Sequence, residues 1–149
     1  MSSRINFHYV DIKSKFVDRK NFSDFLCKIF DYEWQTLEKV DVLFCSDIYL
    51  LDLNKKFLRH DFFTDTITFN YNLDGNPVIG EVYISLDRIK DNAIVYKTNY
   101  QEELKRVIIH GVLHLCGYSD KKKHKKVMTI KQEDYLKFYY VSRETKRNV

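Results

Sequence analysis

Hydrophobic and polar residues alternate along positions 5–10, where Ile5, Phe7 and Tyr9 are separated by Asn6 and His8, and this period of two predicts a strand. The period then lengthens. Between residues 16 and 32 the apolar positions Phe22, Phe25, Leu26, Ile29 and Phe30 recur at the spacing of one helix face. Residues 40–45 read as a second strand, after which Ser46 or Asp47 offers an N-cap oxygen for a helix reaching about Leu58. Two more strands are expected at 66–71 and 78–85. The run 72–77 between them is dense in turn formers and predicts a hairpin-like connection. A helix follows from residue 87 to about 96, with Ser85 or Asp87 near its start. The best-defined helix runs over 100–116 and stops at Gly117, and a last one runs from 122 to about 140.

Strands first, helices later, with helical crossovers between the early strands, predict an α+β fold. No repeat or low-complexity linker interrupts the 149 residues, which hold only four Gly and one Pro, so a single domain over 1–149 is expected. A composition 44% hydrophobic and 31% charged excludes a disordered chain.

Charge changes the picture at one end. Residues 121–149 hold ten Lys or Arg against Glu133, Asp134 and Glu144, a local charge of +7 that leaves −3 for the remainder of a +4 chain. Such a flank attracts a polyanion such as RNA, and it equally describes a solvated helix face. No stretch approaches the roughly 20 apolar residues that span a bilayer. The start of the chain also lacks the uninterrupted apolar core of a secretion signal. Cys27, Cys45 and Cys116 are odd in number and set among apolar neighbours, as suits reduced thiols. A cytoplasmic protein with no membrane partner is the expectation.

The candidate chemistry lies on the helix near the C-terminal third. His110 and His114 are four residues apart, so both imidazoles project from one helix face and can take two corners of a zinc tetrahedron. Gly117 then lets the chain turn, and Asp120 brings a carboxylate back toward them, giving His-x3-His-x2-Gly-x2-Asp. Two imidazoles, one carboxylate and an open position make a catalytic kind of site for one zinc ion. His124, inside a lysine run that repels cations, is the alternative third ligand. A purely structural reading makes the two histidines hydrogen-bonded core residues and Ser119-Asp120 a cap for the next helix. Gly111 stands where the His-Glu-x-x-His pattern of zinc peptidases has its general base, which argues against a peptidase.

These residues resemble a known signature. His110-Gly-Val-Leu-His114-Leu-Cys-Gly117-Tyr118 is similar to that of the YbeY family of bacterial rRNA maturation endoribonucleases. Leu53-Asn54 with Phe57, then Asp61 and residues 64–69 (Thr-Asp-Thr-Ile-Thr-Phe), resemble a second block of that family. Residues 80–85 (Gly-Glu-Val-Tyr-Ile-Ser) resemble a third, and the blocks cover roughly residues 50–120 in the family's order. The resemblance implies helices packed on a small mixed four-stranded sheet, and a zinc held by the motif helix. It also implies metal-dependent cleavage of single-stranded RNA in maturation of the 16S rRNA 3′ end and in ribosome quality control, with the small ribosomal subunit as partner.

His110 and His114 match the family's first two ligand positions. The third is usually a His ten residues after the first, where this chain has Asp120. The family also usually carries an Arg, implicated in RNA processing, directly after the aromatic at position 57. Here that place is Leu58, and Arg59 follows one residue later. The expected catalytic residues are therefore Arg59 and His114, with Arg59, Lys121 and Lys122 contacting substrate. His60 and Asp61 are expected near the same cleft, and Thr64, Asp65 and Thr66 to shape the loop over it. The competing expectation is an RNA-binding ribosome-assembly factor whose zinc is structural or vestigial.

Overall fold

A computed structural model describes the backbone of residues 4–74 and 76–147, with side chains through residue 144. Residues 1–3, Gly75 of the expected turn, and the side chains of Lys146 and Arg147 in the basic flank lie outside it.

Four strands, β1 (Ile5–Tyr9), β2 (Leu37–Cys45), β3 (Thr66–Asn70) and β4 (Val78–Ser85), form one sheet in the order β1-β2-β4-β3. β1 pairs parallel with β2 and β2 parallel with β4, whereas β3 pairs antiparallel with β4. The sheet is mixed because parallel neighbours need helical crossovers and only β3–β4 are joined by a short turn. Helix α1 (Arg19–Tyr32) links β1 to β2. Helices α2 (Asp47–Leu58), α3 (Leu86–Val95), α4 (Tyr100–Leu115) and α5 (Lys122–Arg147) complete the fold. The expected α+β architecture and four-stranded mixed sheet hold.

The inward side chains of β2 and β4 (Val40, Val42, Phe44, Val78, Val82, Ile84) meet Phe22, Leu26, Ile29 and Phe30 of α1. Leu104, Ile108, Val112 and Leu115 of α4 join the same core. Burying a side chain of this size is worth about 1.5–3 kcal/mol, so this layer anchors α4 to the sheet. On the opposite face Leu50 of α2 packs with Cys45 and Ile67. Burial pushes the Cys45 thiol up to about 12, with Asp11, Asp87 and Asp47 adding to it, as expected of an unreactive reduced thiol.

Helix starts follow local capping. Ser46 accepts from the Tyr49 N–H at 3.2 Å, Ser85 from Arg88 N–H at 3.1 Å and Asn99 from Glu102 N–H at 2.7 Å. Three boundaries differ from the periodicity by three residues or more. α1 begins at Arg19 rather than 16, because Asp18 takes a left-handed backbone (φ 65°) and Phe16 turns inward against Phe7, Phe22 and Phe44. β2 begins at Leu37 rather than 40, across an irregularity between Leu37 and Lys39 that hides the alternation. α5 continues to Arg147, beyond the last apolar contacts at Tyr139 and Tyr140 that define its periodicity. Among the described residues no helix is long and apolar enough to cross a membrane.

Candidate metal centre

α4 lies unusually close to the sheet where it carries the two histidines. A Cβ on Gly111 would stand 2.5 Å from Cγ1 of Val82, and one on Gly80 would stand 2.6 Å from Leu115 Cδ2. Neither place admits a side chain without movement, so the helix rests directly on β4 and its opposite face is set firmly. After Cys116 the chain turns at Gly117, whose φ of 107° suits a residue without Cβ. That turn returns Asp120 to the exposed face of α4.

The result is a cluster in which ligand atoms of His110, His114 and Asp120 all lie within 4.8 Å of one another. The two Nε2 atoms are 3.1 Å apart, and His114 Nε2 is 3.2 Å from Asp120 Oδ1. Both Nδ1 atoms face acceptors: Oε1 of Gln132 at 2.8 Å for His110, and the Tyr118 carbonyl at 2.9 Å for His114. The Gln132 amide is oriented by its own nitrogen, which donates to Glu133 Oε2 at 3.0 Å. Arg106 Nε in turn donates to the same carboxylate oxygen at 3.0 Å. Each imidazole therefore places its proton on Nδ1 and its lone pair on Nε2.

Two lone pairs and a carboxylate oxygen converge within hydrogen-bond distance, and this donor set could hold a divalent metal. Burial, followed by the neighbouring His114 ring, lowers the His110 pKa, which keeps that ring in its neutral, ligating form. Asp120 is 86% exposed, so one side of the cluster is open to solvent.

Two cavities meet at this cluster. One of about 540 Å³ is lined by Leu58, His60, residues 64–68 at the start of β3, His110, His114 and Asp120. The other, about 630 Å³, runs between α3, α4 and α5 and includes Asn92, Arg106, His110, Asp120, Lys125 and Gln132. Asp65 borders both.

The remaining expected site residues fall as follows. His124 stays apart from the cluster: its Nδ1 accepts from the Ser119 N–H at 2.9 Å and its ring stands edge-on to Tyr118. Arg59 is the C-cap of α2 with a left-handed backbone (φ 56°). Its neighbours Leu58 and His60 line the smaller cavity, and Arg59 does not. Lys121 and Lys122 are exposed and line neither cavity, whereas Lys125 does. Asp61 is exposed and ion-paired with Lys55 at 3.4 Å. Thr64 and Thr66 hydroxyls donate to the Thr66 and Tyr83 carbonyls, so they shape the loop. Gln132 went unnoticed in the sequence, where nothing marks a residue 22 positions beyond His110 as its partner.

The architecture and site together describe a small α+β domain with a histidine–carboxylate cluster that could hold a metal, two of its residues on a buried helix and the third beyond the turn that ends it. Residues 8–140 match the family model "Endoribonuclease YbeY". The "Endoribonuclease YbeY" of Flavobacterium psychrophilum is 38% identical over 138 residues, 92% of this chain and 97% of its own length. That of Karelsulcia muelleri is 38% identical over 135 residues, covering 91% and 94%. Among solved structures, that of TM1509 from Thermotoga maritima superposes with a TM-score of 0.62 at 25% identity, over 95% of this chain and 93% of the other. The chain belongs to the YbeY endoribonuclease family.

Proposed function

We propose that residues 1–149 act as one metal-dependent endoribonuclease domain. It cleaves single-stranded RNA in maturation of the 16S rRNA 3′ end and in ribosome quality control, in the cytoplasm, on the small ribosomal subunit. His110, His114 and Asp120 hold one zinc ion. The observation that carries this reading is the convergence of two Nε2 lone pairs and a carboxylate, with both Nδ1 protons already engaged. Family membership supports the RNA phosphodiester as substrate.

When bound, the metal supplies Lewis acidity to a phosphodiester oxygen and makes a water molecule more acidic. The chain's own residues do the rest. Gln132 and the Tyr118 carbonyl hold the imidazoles in one tautomer, and the Gly111–Val82 contact holds the helix that carries them. The exposed side of Asp120 leaves an approach for the RNA backbone. Arg59 beside the smaller cavity, and Lys121 and Lys122 at the start of α5, supply cations for flanking phosphates.

The test is cleavage of an end-labelled, single-stranded 16S 3′ precursor by wild type and by His114→Ala, purified in parallel. Cleavage by the wild type alone, with the variant folded, supports the proposal. Equal cleavage by both overturns it. RNA binding without cleavage by the wild type favours an assembly factor with a structural zinc.

A further inference from the structure

Large aromatic side chains normally leave water, yet the last turn of α2 and the segment that follows it to β3 present three of them. Phe57, Phe62 and Phe63 are 63%, 56% and 46% exposed. They are not loosely hung. Asn54, itself 1% exposed, donates from Nδ2 to the Phe62 carbonyl at 2.8 Å, and its main-chain carbonyl accepts the N–H groups of Arg59 and His60. This one buried residue clamps both ends of the loop, through its side chain and its main chain. The His60 and Phe62 rings stack with centroids 5.0 Å apart and planes 20° from parallel. Phe57 stands edge-on to Phe69, and Phe63 lies under the Arg88 guanidinium.

The location narrows the occupant. His60 belongs both to the stacked pair and to the lining of the cavity that holds His110, His114 and Asp120. Arg59, in the chain between the cavity-lining Leu58 and His60, makes no ion pair among the described residues, so its charge is available. A flat pair of rings, a free cation and a cleft for a phosphodiester, set side by side, match the three parts of a nucleotide strand: base, neighbouring phosphate and reacting phosphate. A duplex hides its base faces, whereas an unpaired base offers one.

We propose that the His60–Phe62 pair is a stacking platform for an unpaired nucleobase of the RNA strand whose backbone enters the metal cleft, with Arg59 on an adjacent phosphate. The proposal rests on the endoribonuclease reading and adds the contact that selects single strands. Because the loop is held by Asn54 before RNA arrives, little ordering opposes binding.

The experiment uses the full chain with chelator present, so that no strand is cut. Fluorescence anisotropy measures binding of a labelled short oligoadenylate and of an abasic strand with the same phosphates, for wild type, Phe62→Ala and Phe62→Trp. Circular dichroism checks folding. The wild type is expected to hold the base-bearing strand on the order of tenfold more tightly than the abasic one. Phe62→Ala removes that preference, Phe62→Trp keeps it, and abasic affinity stays the same in all three. A Phe62→Ala variant that keeps the preference overturns the platform, as does one that loses both strands equally. A wild-type dimer that Phe62→Ala makes monomeric overturns it in favour of self-association. Failure of the wild type to bind either strand removes the RNA reading itself, a separate result.

Discussion

Gln132 on α5 accepts, at 2.8 Å, the Nδ1 proton of His110 on α4, and so decides which nitrogen of that ring faces the cluster. The amide is held in turn by Glu133, and Glu133 by Arg106, so the orientation comes from a chain of three side chains rather than from one. Replacing Gln132 by Leu frees the ring to rotate or change tautomer. Zinc affinity, measured by competition with a chromophoric chelator, should fall about 10–100-fold. Gln132→Glu keeps an acceptor and should retain most of it. Equal affinity in wild type and Gln132→Leu would show that the hydrogen bond has no bearing on the site.

Metal removal should separate activity from folding. The cluster lies at the surface, with Asp120 largely exposed, while the core of β2, β4, α1 and α4 is closed without it. Chelation is expected to abolish cleavage and lower Tm by roughly 5–15 °C, the loss of about 3–4 kcal/mol that a ligand at 100 to 1,000 times its Kd contributes. Complete unfolding on chelation, seen by circular dichroism, would contradict this.

The Gly111–Val82 contact predicts a coupled pair. Gly111→Ala forces a methyl to within 2.5 Å of Val82 Cγ1 and should destabilise the fold by about 1–3 kcal/mol. Val82→Ala opens the space, so the double variant should be more stable than the two single losses sum to. Urea unfolding of the four proteins gives the coupling energy directly. Strict additivity would rule the contact out as the cause.

Acid should loosen the joint between α1 and α5. Glu33 just after α1 accepts from Tyr118 at 2.6 Å, from Lys131 at 3.0 Å and from the Tyr135 hydroxyl. Burial pushes its carboxyl up, but these three donors together outweigh burial and leave it below the ordinary range. A depressed folded pKa stabilises the fold above the unfolded value, near 4.3, and the stabilisation is lost as pH falls through the folded value. Glu33→Gln should therefore cost about 1–3 kcal/mol at pH 7 and lose less than the wild type between neutral and acid pH. Denaturant midpoints at both pH values test the sign.

How much of this the chain discloses in advance varies with distance along it. His110, His114 and Asp120 stand within eleven residues, so helical period and one glycine turn suffice to bring them together. The caps at Ser46 and Ser85 are equally local. Gln132 depends on how α5 crosses α4, a packing outcome without local signature. Arg59 shows the limit within a single turn: α2 ends at Leu58, and the left-handed step at Arg59 directs it away from the cavity its two neighbours line. The early start of β2 was hidden because its irregularity breaks the alternation that marks a strand.

Gly111 also bears on which changes are open to this chain over generations. In the sequence it is simply the place where a zinc peptidase would carry its general base. In the fold it is a place where even a methyl collides with Val82. Acquiring that base would demand a larger residue on the helix and a smaller one on β4 together, since the first change alone strains the fold. The seam between helix and sheet thus works as a barrier in mutational space, holding this metal constellation away from peptide-bond chemistry by steric means.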